Sequence, residues 1–442
     1  MYSLNRGRSP ILLQLGSVPG FPLNYSLTPE RSIPKIEGVS NSQRMEMHLL
    51  TPARKLLFLL GLILLFGLAL GGAAPARKTA AKSAPKKTAS AASASSAKKK
   101  PTSSKRRTRQ PSNGRWSEPS FADSTQGDLI DGEDLMVRRA AVEALGGMNG
   151  TVVVVDPHTG RVLSMVNQKL ALKSGFQPCS TIKIVAALAS LSEGIIERTT
   201  LMRLYGRTSM NLTEALATSN NPYFANLGVK LGFERVNYYA RLFGLGELAG
   251  LNIQGEQPGK LPETPPANGG VGMMTSFGEG ILLTPLELAG LMSAVANGGM
   301  LYYLQYPRTQ DEVSHYVPRV KRRLDLEQWV PEVKPGLMGA VEFGTARRAA
   351  YDPNEPIYGK TGTCTDRVQP GVHLGWFGSF NDVGGRRLVV VVLLTGGRPV
   401  SGPTASSVGG AVYKNLSQQR FFLAQRGISP SALISSGSCC VQ

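Results

Sequence analysis

The sequence has few of the residues that build metal sites and disulfide scaffolds. It contains four cysteines and four histidines among 442 residues. The cysteines form no CxxC pair and no cluster with histidine, which argues against a structural zinc site. So few cysteines also argue against a disulfide-rich scaffold. We therefore expect no metal, no cofactor, and a fold held by a hydrophobic core, since 42% of the residues are hydrophobic.

Acidic residues are missing from one long basic stretch. Residues 77–115 contain 13 Lys and Arg and no Asp or Glu, which accounts for most of the formal charge of +19. Residues 77–118 consist largely of Ala, Lys, Ser, Thr, Pro and Arg, so they cannot bury enough apolar surface to fold. We interpret them as a disordered basic linker. A solvated tether is the favoured interpretation, contact with anionic wall polymers or lipid is the alternative, and nucleic acid is the least favoured partner.

An apolar run precedes the linker. Residues 54–76 contain two basic residues, the uncharged run Leu56–Leu70 and then Ala-Pro-Ala, which is the order of a signal peptide. The run is shorter than the ~20 residues that span a bilayer, but the small residues after it can extend it. A cleaved signal and a retained membrane anchor both stay open. We expect export to the cell envelope, although the basic residues after the run favour the cytoplasmic side and so count against a retained anchor. Residues 1–53 are an N-terminal extension, and we expect translation to begin at Met45 or Met47.

The globular pattern begins near residue 128. Leu129–Leu145 has helical spacing, and residues 151–156 and 161–166 flank a Pro-His-Thr-Gly turn, which predicts a β-hairpin. Several helices are predicted between residues 180 and 300. The predictions near the C-terminus are three strands and a last helix, at Ile357–Thr363, His373–Phe380, Arg387–Leu394 and about Pro403–Ala424.

This order predicts an α/β fold of the α+β type. Strands joined by short turns pair antiparallel, and helices must cover the sheet that they form. We expect a five-stranded antiparallel sheet flanked by helices, with an all-helical subdomain inserted between the second and third strands. The domain is predicted to span 128–425, and the tail 426–442 to be disordered.

The stretch FQPCSTIKIV contains the first candidate for chemistry. Ser180 and Lys183 stand three residues apart near the start of a predicted helix, so their side chains share one face. A helix N-terminus offers free N–H groups and partial positive charge. A lysine with a lowered pKa can accept the proton of a serine that attacks a carbonyl. Such an S-x-x-K spacing is weak evidence by itself.

Two later motifs strengthen it. LATSNNPY supplies Ser219 and Asn221, and GKTGT supplies a second lysine, Lys360, on a predicted strand. S-x-x-K, S-x-N and K-T-G in this order are far more specific than any one of them. They combine two hydroxyls, a carboxamide and two amines, which suits acyl transfer from a peptide that ends in a carboxylate.

With these motifs, residues 128–425 resemble the transpeptidase domain of a penicillin-binding protein, in the superfamily of serine β-lactamases and D,D-peptidases. VVVVDPHTGRVLSMV resembles the opening hairpin of that family, SFGEGILLTPLELAGLMSAVANGG one of its helices, and HLGWFGSF the strand after K-T-G. The resemblance implies a serine D,D-transpeptidase that forms an acyl-enzyme with D-Ala-D-Ala peptides of peptidoglycan. It also implies that β-lactam antibiotics bind.

The resemblance assigns a catalytic role to five side chains, those of Ser180, Lys183, Ser219, Asn221 and Lys360. Ser180 attacks the peptide carbonyl, and Lys183 accepts its proton. Ser219 relays a proton to the departing D-alanine, with Lys183 or Lys360 near it, and Asn221 holds a side amide of the donor peptide.

The resemblance also assigns roles to the K-T-G-T strand. Lys360 and the hydroxyls of Thr361 and Thr363 bind the terminal carboxylate, and Gly362 lets the strand pass close to the acyl group. The backbone N–H groups of Ser180 and Thr363 form the oxyanion hole.

Cys179 competes with its neighbour for the role of nucleophile. It occupies a position where the family usually has glycine, and it can face Lys183 four residues later. We favour Ser180, because an exported thiol near a cationic helix end tends to oxidise and the other motifs fit serine chemistry. A disulfide between Cys179 and Cys364 and a pair of small buried cysteines are both open. Glu279 replaces a glutamine that is common in the family, and we interpret it as loop structure.

Three other functions stay open for the same fold. A β-lactamase needs a general base for rapid deacylation; Glu247-Leu-Ala-Gly-Leu-Asn252 resembles the E-x-x-L-N loop of one such class but is one residue too long. A D,D-carboxypeptidase differs only in the use of water, instead of an amine, to release the acyl group. A non-catalytic penicillin-sensing or wall-binding module needs no acyl transfer.

Overall fold

The computed structural model describes residues 116–383 and 386–422. Within that part of the chain, no helix is both long enough and apolar enough to cross a bilayer. Several predicted segments fall outside the described residues, namely 1–53, 54–76, all but the last three residues of 77–118, and 426–442.

In residues 116–383 and 386–422 the strands form one large sheet and two small ones. They are β1 (Gly150–Val155), β2 (Val162–Val166), β3 (Met202–Arg203), β4 (Ser209–Met210), β5 (Met300–Tyr302), β6 (Val320–Arg323), β7 (Ile357–Thr365), β8 (His373–Asn381) and β9 (Val389–Gly396). The large sheet is antiparallel and has the order β2-β1-β9-β8-β7. The expected five-stranded antiparallel sheet is therefore confirmed, and β7, which carries the K-T-G motif, lies at one edge.

The centre of the sheet explains its valine-rich sequence. Every residue of β1 and of β9 is buried, because each strand lies between two others and helices cover both faces. Strands buried on both faces are apolar at successive positions rather than at alternate ones. In the register of these strands, Val152 pairs with Val166 on one side and with Val392 on the other.

Eleven α-helices lie in the described part of the chain. They are α1 (Leu135–Leu145), α2 (Gln168–Ala171), α3 (Lys183–Ser192), α4 (Leu212–Thr218), α5 (Asn221–Leu231), α6 (Phe233–Leu242), α7 (Gly270–Phe277), α8 (Pro285–Asn297), α9 (Gln310–Ser314), α10 (Val330–Glu342) and α11 (Gly402–Gln418). One core cluster includes residues of α1, α11 and the sheet, and a larger one includes α3 and α8 with β8 and β9. The expectation that the segment inserted between β2 and β7 is all-helical is wrong: the segment is mainly helical, but it also contains the two-stranded ladders β3–β4 and β5–β6.

Two predicted helix boundaries are wrong. The first helix begins at Leu135 rather than Leu129, because the Asp134 carboxylate accepts hydrogen bonds from the backbone N–H groups of residues 136 and 137 and caps the helix there. The residues before this helix are fixed by Asp128 instead, which accepts hydrogen bonds from two backbone N–H groups and forms an ion pair with Arg138 at 2.7 Å. The last helix ends at Gln418, before Arg420 adopts a left-handed conformation with φ 58°.

Candidate active site

The first motif lies on a tight turn that opens a buried helix. A short 3₁₀ turn, Cys179–Ile182, runs directly into α3, whose first residue is Lys183. The Thr181 hydroxyl donates to the Pro178 carbonyl at 2.7 Å and closes the turn. The Lys183 side chain is fully buried, and its Nζ lies 2.6 Å from Ser180 Oγ.

The second motif meets the same amine. Helix α4 ends at Thr218; the next residue, Ser219, has a left-handed backbone with φ 57°, and the Asn220 side chain then caps α5. Non-glycine residues held in this conformation often mark functional sites. The turn places Asn221 Oδ1 at 2.7 Å and Ser219 Oγ at 3.2 Å from Lys183 Nζ. The S-x-x-K and S-x-N motifs thus converge on one nitrogen atom.

The surroundings of that nitrogen favour a neutral amine. Burial, together with the nearby positive charge of Lys360, lowers the pKa of Lys183 well below its usual value. The rings of Phe224 and Phe277 lie with their centroids 5.8 and 5.9 Å from the amine and exclude water on those sides. A neutral amine within hydrogen-bond distance of a hydroxyl can accept its proton.

The third motif lies on β7, the edge strand that faces the turn of Ser180. A Cβ atom at Gly362 would lie only 2.9 Å from the Pro178 carbonyl oxygen and 3.2 Å from Cys179 Cβ. Only glycine allows the strand and the turn to approach so closely. The three motifs, which span about 180 positions of sequence, therefore meet at one place.

The lysine of this strand is also fully buried. Burial lowers the pKa of Lys360 to about 7, and its Nζ donates to the Thr361 carbonyl at 3.1 Å. The amine that contacts Ser219 is that of Lys183, so of the two lysines that sequence analysis placed near this serine, Lys183 is the one in hydrogen-bond contact.

A threonine that sequence analysis missed supports the K-T-G strand. Thr345 Oγ1 lies 2.6 Å from Thr361 Oγ1, and the backbone N–H of Thr345 donates to the Ala217 carbonyl at the end of α4. Thr345 thus links the second and third motifs. The dipeptide Gly-Thr in FGTA carries no specific signal in sequence, so only the fold reveals this contact. On the same strand, Thr363 Oγ1 accepts a hydrogen bond from the Gly402 N–H at 2.7 Å.

A disulfide joins the turn to the edge strand. Cys179 and Cys364 are bonded, with their Cα atoms 5.7 Å apart, so the structure shows one of the two alternatives left open for this pair. Cys179 is not a free thiol, which removes it as a competing nucleophile in this oxidised state. Its φ of 52° lies in the left-handed region, and this conformation explains why glycine suits the position.

A charged cavity of about 510 Å³ adjoins the turn of Ser180 through Gln177. Glu279 lies in the loop after α7, where it lines this cavity and forms an ion pair with Arg367 at 3.0 Å. Within residues 116–383 and 386–422, no group of three or more His, Cys, Asp or Glu side chains is arranged to hold a metal ion.

Comparison with protein families and curated proteins gives a consistent result. The family model of the penicillin binding protein transpeptidase domain matches residues 150–418. Stage V sporulation protein D of Bacillus subtilis is 29% identical over 243 residues, which are 50% of this chain and 36% of that protein. The peptidoglycan D,D-transpeptidase MrdA of Haemophilus influenzae is 24% identical over 357 residues, 62% of this chain and 54% of that protein. The chain thus spans about a third to a half of the length of these two relatives.

Solved structures show the same fold. PBPA from Mycobacterium tuberculosis has a TM-score of 0.53 and 22% identity, with 64% of this chain and 80% of that chain covered. The D,D-transpeptidase domain of a peptidoglycan glycosyltransferase from Eggerthella lenta has a TM-score of 0.51 and 20% identity, with 65% and 82% covered. These likenesses show that the chain shares its fold with these proteins.

Proposed function

Because the chain belongs to the penicillin-binding protein transpeptidase family, we propose that it is a serine D,D-transpeptidase that acts on D-Ala-D-Ala peptides of peptidoglycan. In this proposal the acyl group is carried on Ser180. β-Lactam antibiotics acylate the same oxygen, since their strained amide takes the place of the D-Ala-D-Ala bond.

One observation carries the proposal. A single buried amine, Lys183 Nζ, lies within 3.2 Å of the oxygens of Ser180, Ser219 and Asn221. A nucleophile beside a base of lowered pKa, with a second hydroxyl on the same base, is the arrangement that acyl transfer through an acyl-enzyme requires.

Acylation begins with the neutral Lys183 amine. As Ser180 Oγ bonds to the carbonyl carbon of the penultimate D-alanine, its proton moves to Lys183 Nζ. The carbonyl oxygen becomes an oxyanion, and the backbone N–H groups of Ser180 and Thr363 stabilise it. In other enzymes, the loss of one such donor lowers the rate by ~10²–10³.

The leaving group then takes a proton along the same contacts. Ser219 passes a proton from Lys183 to the nitrogen of the terminal D-alanine, and the amide bond breaks. Asn221 holds a side amide of the donor peptide. The amine of a second stem peptide attacks the acyl-enzyme by the reverse route, which frees Ser180 and forms the cross-link.

The terminal carboxylate is recognised at the edge strand. Lys360 supplies positive charge once the substrate carboxylate lies nearby, because an opposite charge favours the protonated amine. The hydroxyls of Thr361 and Thr363 donate to the carboxylate oxygens, and Gly362 leaves room for the acyl group.

Because the proposed substrate is peptidoglycan, the chain should lie in the cell envelope. Residues 54–76 act as an export signal or a membrane anchor, and the domain 128–425 works outside the membrane, in the cell envelope. The basic linker 77–118 tethers the domain and lies near anionic wall polymers or lipid. Nucleic acid is not proposed as a partner of the linker.

The experiment supplies a D-Ala-D-Ala stem peptide with and without an acceptor amine and measures the release of D-alanine and the formation of cross-linked peptide. We expect wild type to make cross-linked product and the Ser180→Ala variant to make none. Ser190→Ala is the matched control, because Ser190 is a buried serine of α3, the helix that follows the turn of Ser180, and its hydroxyl has no hydrogen-bond partner among the described residues. The control should retain activity.

Other outcomes identify the other functions. Release of D-alanine without cross-linked product, even at high acceptor concentration, would replace transpeptidase with carboxypeptidase. Rapid turnover of a chromogenic cephalosporin would instead identify a β-lactamase. A protein that forms a stable adduct with penicillin but consumes no peptide would be a sensing or wall-binding module.

A further inference from the structure

The Cys179–Cys364 disulfide stands at a chemically significant place. Cys179 immediately precedes Ser180, and Cys364 immediately follows Thr363. The two backbone N–H groups of the proposed oxyanion hole are therefore each one residue from a bonded sulfur. The bond closes a separation of 185 residues and connects two segments that no short stretch of chain holds together.

The hydrogen bonds that fix the segment around Cys179 run to β8, to the end of α7 and within the turn itself; the Gln177 side chain, for example, donates to the Phe277 carbonyl at 3.1 Å. Trp376 Nε1, on β8, donates to the Gln177 carbonyl at 2.9 Å, and the Thr181 hydroxyl donates to the Pro178 carbonyl. None of these hydrogen bonds reaches β7. The disulfide is the covalent link between the turn and the strand that carries the other half of the proposed oxyanion hole.

The strand needs such a link because it lies at the edge of the sheet. Its one sheet neighbour is β8, and just beyond its end at Thr365 the chain enters a loop in which Arg367 and Val368 are exposed. Among the described residues, no strand pairs with the side of β7 that faces the turn. Contact at Gly362 limits how closely the two segments approach, but contact alone does not hold them together.

We propose that Cys179 and Cys364 are positioning residues for acyl transfer: their disulfide fixes the spacing between the backbone amides of Ser180 and Thr363, and reduction of the bond slows acylation while the domain stays folded. This inference rests on the proposed function, since it concerns the same nucleophile.

The redox step has a defined chemistry. Cys179 is fully buried, whereas Cys364 is partly exposed, so a dithiol reductant attacks the sulfur of Cys364 and Cys179 leaves as a thiolate, which then takes up a proton. The second thiol of the reductant resolves the mixed disulfide. The products are two cysteine thiols and one oxidised dithiol, a transfer of two electrons. A domain that works where disulfides persist keeps the bond, and with it the active geometry.

The first measurement compares the rate constant for acylation by a fluorescent penicillin before and after treatment with dithiothreitol, with thiol titration to verify that two thiols are released. A misplaced oxyanion donor should cost less than a missing one, so we expect a fall of ~10–10² in the rate constant. Re-oxidation should restore the rate. Cys364→Ala should acylate slowly with or without reductant, and penicillin should still label Ser180 rather than Cys179.

The second measurement detects positioning without catalysis. Hydrogen exchange of peptides covering 177–183 and 359–365 should accelerate on reduction, whereas a peptide of α11 should not change. Val412→Ala is the control for stability alone, because Val412 is buried in the other core cluster, in α11. That variant should melt at a lower temperature and acylate at the wild-type rate.

The outcomes separate this inference from the proposed function. If oxidised wild type does not acylate Ser180, the proposed function fails, and the positioning role fails with it. If oxidised and reduced protein acylate Ser180 at the same rate, the proposed function stands and the positioning role is refuted. Equal loss of activity in Val412→Ala, or faster exchange throughout the domain, would reduce the disulfide to a general source of stability.

Discussion

The buried Lys360 side chain should lower the free energy of unfolding, by an amount that depends on pH. Burial lowers its pKa from 10.5 to about 7, a difference that corresponds to about 5 kcal/mol in the free energy of unfolding. Below pH 7 both the folded and the unfolded chain carry the proton, so the full penalty of a buried ammonium is present. As the pH rises from 7 towards 10.5 the unfolded chain keeps a proton that the folded chain has released, so stability rises.

The Lys360→Met variant removes this contribution with a side chain of similar length. We expect it to be more stable than wild type at pH 6, by up to about 5 kcal/mol, and the difference to shrink by about 2 kcal/mol between pH 7 and pH 9. Urea unfolding at pH 6, 7.5 and 9 measures both quantities. Lys414→Met is the matched control on an exposed face of α11, and it should leave the pH dependence unchanged. A difference that does not vary with pH, or a variant less stable than wild type at pH 6, would refute the argument.

Three further changes test the geometry of the site. Gly362→Ala should slow acylation ~10–10²-fold, because its Cβ would lie 2.9 Å from the Pro178 carbonyl oxygen, next to the turn of Ser180. Gly147→Ala, whose Cβ would meet nothing within 4 Å, is the control in the same penicillin assay. Thr345→Val should remove the 2.6 Å contact to the Thr361 hydroxyl, which is proposed to bind the substrate carboxylate. The KM for a D-Ala-D-Ala peptide should therefore rise, by a factor several-fold larger than the fall in kcat, and an unchanged KM would contradict this. The acylation rate should level off at a pH well below 10.5, because the pKa of Lys183 is lowered; a rate that still rises at pH 10 would contradict this lowered pKa.

The local elements could be predicted from sequence because their causes are local. The valines of β1 and the turn after them indicate a hairpin without any knowledge of the rest of the chain, and the structure pairs Val152 with Val166 there. The predicted start of the first helix was wrong, because the apolar residues Leu129 and Ile130 fit the helical spacing but are exposed. The cap at Asp134 determines where the helix begins, and buried contacts of Asp128 compete with helix formation before it.

The site could be predicted as a set of residues but not as a geometry. The order of three motifs indicated which side chains belong together, yet spacing in sequence could not show that Lys183 contacts both Ser219 and Asn221. Thr345 was missed because its role depends on a fold that brings the end of α10 to the K-T-G strand. The cysteine pair was left open because a disulfide requires that two segments 185 residues apart come together, which no local pattern reveals.

The most direct test of the central claim is to identify the residue that a β-lactam acylates. The protein is incubated with penicillin, digested and sequenced by mass spectrometry, alongside the Ser180→Ala and Ser190→Ala variants. We predict one stoichiometric adduct on Ser180 in wild type and in Ser190→Ala, and none in Ser180→Ala. An adduct on any other residue, or a Ser180→Ala protein that labels as wild type does, would contradict the account.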